Sequence, residues 1–149
     1  MNFVEKILVM GSLNMDFAVY VDEVPAEGRT VLANRSERIP GGKGANQAYA
    51  AGWLGAEVAM IGAVGGDESG RELIENLNRV NVNTDAVSQI AGAPTGYSHI
   101  SINWRKGKRT IVVPCFVVAF PSCLLYHTHG KRPVFITICA ATTATEWSL

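Results

Sequence analysis

The chain has 149 residues, enough for one modest domain, and its 13 basic and 13 acidic side chains leave a formal net charge of zero. With 48% hydrophobic and 17% charged residues, the composition is that of a soluble globular protein. The charge balance gives nucleic acid or an acidic membrane surface no electrostatic reason to bind, so neither is expected as a partner.

The first apolar stretch, Val4 to Met10, is short, carries Glu5 and Lys6, and is followed at once by Asn14 and Asp16. That pattern argues against a secretory leader, and a cytoplasmic location is expected. Lys6–Gly11 reads as a buried strand ending in a Gly-Ser loop. Phe17–Val21 and Arg29–Ile39 read as extended segments, separated by Pro25 and Gly28. Pro40-Gly41-Gly42 then opens a helix from Gly44 to Leu54, which Gly55 closes as a left-handed cap.

Glu57–Val64 is an apolar run of strand length, and Asp67 is placed to cap a helix with Leu73, Ile74, Leu77 and Val80 on one face. Val87–Ile90, Gly96–Asn103 and Lys108–Val113 are further strand candidates, the last two joined around Arg105-Lys106-Gly107. Strands alternating with helices imply an α/β fold with a mostly parallel sheet. The hairpin and the segments of 17–39 form an antiparallel accessory to it.

After position 114 the composition changes. Only Lys131, Arg132 and Glu146 of the charged residues lie there, together with Cys115, Cys123, Cys139, His127 and His129. Pro114 and Pro121 interrupt the uncharged run, which makes it a poor membrane helix. The cysteines show no metal-ligand spacing, and the two histidines lack convergent partners, so no metal site is expected. Trp104 and Trp147 are read as packing or incidental residues.

Three glycine-bearing turns carry the chemistry. In Gly41-Gly42-Lys43-Gly44-Ala45-Asn46-Gln47-Ala48, consecutive glycines let backbone approach a ligand and leave early helical N–H groups as donors. Lys43 and Asn46, three apart, can present an ammonium and an amide on one helix face. The turn could equally be a tight connection only. It is neither a P-loop nor a dinucleotide fingerprint, because the required lysine-serine pair and third glycine are missing.

In Gly11-Ser12-Leu13-Asn14-Met15-Asp16, Asn14 and Asp16 lie beyond the carboxyl end of a strand and point the same way. A carboxylate accepting from vicinal hydroxyls beside an amide suits a polyol, though both residues are also ordinary turn formers. In Gly62-Ala63-Val64-Gly65-Gly66-Asp67, Asp67 is most simply a helix cap.

The glycine-lysine-asparagine turn, continued at the right spacing to Gly55 and Gly65 and then Gly66-Asp67, resembles the ribokinase family of carbohydrate kinases, the phosphofructokinase-B type. Gly11 to Asp16 resembles that family's sugar-binding turn, and Thr95-Gly96 with the hairpin through Val113 resembles its lid strands. The resemblance covers 1–114 and implies a partial ribokinase-like fold, a mostly parallel sheet with flanking helices plus an antiparallel β lid. By that resemblance the C-terminal half of the family fold is expected to be missing.

The resemblance further implies that Asp16 holds ribose hydroxyls, with Asn14, Gly42, Lys43 and Asn46 completing the pocket for a pentose, D-ribose foremost. Lid strands near 17–39 and 96–113 would cover the sugar and pair with a second subunit in a homodimer. The family reaction is phosphorylation of D-ribose by ATP, with magnesium and a monovalent cation. Its Gly-Ala-Gly-Asp turn, which carries the catalytic Asp, does not occur here, and no Asn-x-x-Glu segment follows Asp85, after which the one acidic residue is Glu146.

No catalytic residue is therefore assigned, and the chain alone is expected to bind no ATP or magnesium and to be inactive. Two alternatives stand beside that reading, a non-enzymatic sugar-binding or lid-dimerisation module and one half of a complemented kinase. Residues 115–149 are expected to be a divergent apolar tail, frame-shifted or disordered.

Overall fold

The computed structural model describes residues 6–114 and the backbone of 134–138. Two sheets and two helices are built from them. The first sheet is all-parallel, in the order β5 (Val87–Ile90), β4 (Glu57–Gly65), β1 (Lys6–Met10) and β8 (Val134–Ile138). Its two central strands read as near-continuous apolar runs, as strands covered on both faces do. Val9, Val58, Met60 and Val64 are buried to 2% exposure or less.

Helix α1 (Lys43–Trp53) packs on β1 and β4, and helix α2 (Glu68–Asn78) packs on α1, β4 and the second sheet. α2 exists because Asp67 caps it and because Leu73 and Leu77 repeat at helical spacing. Both leucines are essentially inaccessible to water, which is worth roughly 1.5–3 kcal/mol apiece. α1 ends where expected, with Gly55 at φ 90° and the Ala56 amide donating back to the Ala51 carbonyl.

The second sheet has the order β3 (Arg35–Gly41), β2 (Asn14–Val21), β6 (Tyr97–Asn103) and β7 (Lys108–Val112). Its outer pairs, β2 with β3 and β6 with β7, are antiparallel as expected; the middle pair, β2 with β6, is parallel. The extended segment expected over 29–39 is strand only from Arg35, because the pairing with β2 stops at Tyr20↔Arg35. Val31 and Leu32 are exposed in the connection before it.

Of the tail expected over 115–149, the described part is β8, which no sequence period announces. It lies beside β1 in the register Lys6↔Val134 to Met10↔Ile138. The three cysteines, His127, His129 and Trp147 lie outside the described residues.

Candidate functional site

The carboxyl end of β1 runs through Gly11-Ser12-Leu13 directly into β2, with buried Leu13 pinning the turn. Asn14 and Asp16 are therefore the first and third residues of β2 and share one face of that strand. They do not hang in a turn. The last residue of β3, Gly41, is paired with Asn14, and Asp16 is paired with Ile39 on one side and Ser98 on the other.

That register seats the two polar side chains closely. The Ser98 hydroxyl donates to Asp16 Oδ1 at 2.6 Å. A Cβ on Gly41 would fall 2.5 Å from Asp16 Oδ2, and one on Gly96 would fall 2.5 Å from Asn14 Oδ1. One carboxylate oxygen is thus held by a neighbour, while no described residue donates to Oδ2 or bonds the Asn14 amide.

Gly42 joins the pocket to α1. Its φ is 99°, and a Cβ there would lie 2.5 Å from the Ser12 carbonyl oxygen and 2.9 Å from the Asn14 amide nitrogen. Only glycine meets both demands without strain. The two separate sequence motifs, 11–16 and 41–48, are pressed together at this point.

The helical N–H groups expected to face a ligand are partly taken. The Lys43 amide donates to Ser12 Oγ at 3.1 Å, and the Ala45 amide donates to the Ser12 carbonyl at 3.1 Å. Ser12 thereby supplies the cap that an N-cap glycine cannot. Lys43 and Asn46 stand exposed in the first turn of α1, and neither side chain is bonded by a described residue.

Asp67 does more than cap. Its Oδ1 accepts from the Gly70 amide at 2.9 Å and from the Thr95 hydroxyl, and its Oδ2 accepts from the Thr95 amide at 2.8 Å. Burial pushes its carboxyl up, but the hydrogen bonds from Thr95 and Gly70 outweigh that and hold it below the usual carboxylate range.

An open cavity of about 470 Å³ lies at the far end of the second sheet, bordered by Tyr20, Asp22, Asn34, Arg35, Trp104 and Arg105. Trp104 is a structural donor there, bonding Asp22 at 2.6 Å. Bonds from Asn34, Trp104 and Arg105 keep Asp22 below its ordinary value. Those bonds tie the ends of β2 and β6 together.

No group of three or more His, Cys, Asp or Glu side chains able to hold a metal occurs among the described residues. No described helix is long and apolar enough to cross a membrane.

A helix-flanked parallel sheet, with an amide and a half-engaged carboxylate just beyond its first strand, defines an α/β protein with a candidate polar site at that strand's carboxyl end. The chain belongs to the pfkB family of carbohydrate kinases, which it matches over residues 4–114. The ribokinase of Bacillus subtilis (strain 168) is 43% identical over 108 residues, 72% of this chain and 36% of that protein. The deoxyribokinase of Salmonella typhi is 34% identical over 107 residues, 72% of this chain and 35% of its own length.

Among solved structures, Arabidopsis thaliana ribokinase complexed with ribose and ATP is 30% identical with a TM-score of 0.66, over 75% of this chain and 36% of that one. Giardia lamblia ribokinase is 32% identical with a TM-score of 0.67, over 74% and 33%. The chain spans about a third of the length of these relatives.

Proposed function

We propose that residues 1–114 form the sugar-binding part of a ribokinase-like carbohydrate kinase, with D-ribose as ligand, and that these 149 residues alone transfer no phosphate. The observation that carries the reading is the common face of Asn14 and Asp16 on β2. Ser98 fixes one oxygen of Asp16 there and leaves the other for a substrate hydroxyl. A carboxylate accepts from a hydroxyl, an amide both donates and accepts, and together they suit two adjacent hydroxyls of a pentose.

Gly42 lets the backbone come close to that pair, and Lys43 and Asn46 add a cation and a second amide at the mouth of α1. Support for ribose comes from ribokinase relatives and from a similar structure containing ribose and ATP. Phosphoryl transfer needs a base and charge neutralisation at the phosphates. ATP would supply the phosphoryl group, but the 149 residues hold no Gly-Ala-Gly-Asp turn, and no Asn-x-x-Glu segment after Asp85, to place it.

A homodimer through the lid is a second element of the reading, favoured by exposed Ile39, Ile111, Val112 and Val113 on its outer strands and beside them. Titration of the chain with D-ribose tests the pocket, and sedimentation at rising protein concentration tests the dimer. A saturable response lost in Asp16→Ala supports sugar binding; a flat response from the folded chain rejects it.

A further inference from the structure

We propose that Thr95 and Asp67 are positioning residues for the pocket, setting the place of Asn14 and Asp16 through the segment Thr95-Gly96-Tyr97-Ser98. The inference deepens the sugar-binding reading and rests on it. Thr95 is 3% exposed, and both its hydroxyl and its amide are hydrogen-bonded. Its hydroxyl donates to Asp67 and accepts from the Gly65 amide at 2.9 Å, while its own amide donates to Asp67 at 2.8 Å. The connection between β5 and β6 is thereby locked onto the turn between β4 and α2.

The next residue carries that lock to the site. The Gly96 carbonyl accepts from the Met15 amide at 2.8 Å, and Gly96 lies flat against the Asn14 amide oxygen, with no room for a side chain. Two residues further on, Ser98 holds Asp16. One short stretch is thus anchored at Thr95, seats Asn14 at Gly96 and orients Asp16 at Ser98. Neither Thr95 nor Asp67 needs to touch the sugar. An ordinary N-cap uses one carboxylate oxygen and one or two local amides; the second oxygen of Asp67 is spent on a residue 28 positions away.

The test uses the 149-residue chain, isotope-labelled, in wild-type form and as Thr95→Val and Thr95→Ser. The Asn14 side-chain amide, the Gly96 amide and Met15 amide exchange are followed by NMR, and D-ribose is then titrated into the same samples. Thr95→Val should move the Asn14 and Gly96 signals, speed Met15 exchange and weaken ribose binding, each equilibrium by roughly fivefold or more. Thr95→Ser, which keeps the hydroxyl, should restore both.

If Thr95→Val does not fold, Asp67→Asn carries the test, since its amide oxygen still caps Gly70 while its NH2 faces the Thr95 amide. Unchanged Asn14 and Gly96 signals in the folded valine or asparagine variant overturn the proposal. Displaced signals in a chain that never responds to ribose sustain the positioning role and reject the sugar assignment.

Discussion

The hydroxyl of Ser98 reaches Asp16 Oδ1 at 2.6 Å across two parallel neighbouring strands, joining residues 82 positions apart in the chain. That bond commits one carboxylate oxygen, and in the sugar-binding reading proposed above the other accepts from a ligand hydroxyl. Removing it should loosen the carboxylate without emptying the core. Ser98→Ala is expected to weaken D-ribose binding roughly five- to tenfold while costing about 1 kcal/mol of stability. Calorimetric titration and urea denaturation of the same preparation check the two numbers.

Gly42 resists substitution on two counts. Its φ of 99° opposes any side chain, and so does the Ser12 carbonyl oxygen, which would lie 2.5 Å from an added methyl group. Gly42→Ala should lower stability by at least about 2 kcal/mol, as left-handed backbone plus a steric clash requires. The midpoint of urea unfolding followed by circular dichroism reads this directly.

Asp67 makes stability depend on acid. Its folded-state carboxyl titrates below the unfolded value, because bonds from Thr95 and Gly70 overcome the opposing effect of burial. Its contribution is therefore fully present above the unfolded aspartate value near pH ~3.9 and is lost as the pH falls through the lower folded value. Asp67→Asn should remove that part of the acid-side loss and cost about 1 kcal/mol at neutral pH. Denaturation midpoints from pH 2 to 7, compared between the two proteins, give the sign.

Arg38 ties the second sheet to α2 by charge. On β3 it reaches Glu72 at 2.9 Å and Glu68 at 3.5 Å on α2, and it also donates to Ser69 at 3.3 Å. These groups are partly or largely solvent-exposed, so Arg38→Ala should cost no more than about 1 kcal/mol. The difference from wild type should shrink in 1 M salt, where screening acts over about 3 Å. Paired denaturation curves in low and high salt test it.

Much of the body is legible in the sequence. The apolar runs of β1 and β4, the Gly41-Gly42 opening of α1 and the Asp67 cap of α2 depend on local periodicity and capping, which neighbouring residues reveal. The roles of Ser98 and Thr95 cannot be read that way. Each acts on a partner 82 or 28 positions distant, and strand register is not written in either segment alone.

Ser12 leaves one usable signal. A helix opened by a glycine has no side-chain cap of its own, so a hydroxyl elsewhere in the pocket has to supply one. Asn14 and Asp16, two apart, read in the sequence as sharing one face of an extended segment or as ordinary turn residues; pairing with Gly41 and Ser98 places them in a strand.

The most direct measurement is calorimetric titration of the 149-residue chain with D-ribose, in the presence of ATP and magnesium, with ribose 5-phosphate assayed in the same cell afterwards. The account predicts saturable heat that Asp16→Ala abolishes, and no ribose 5-phosphate. A folded chain that gives no saturable heat, or one that accumulates ribose 5-phosphate, would contradict it.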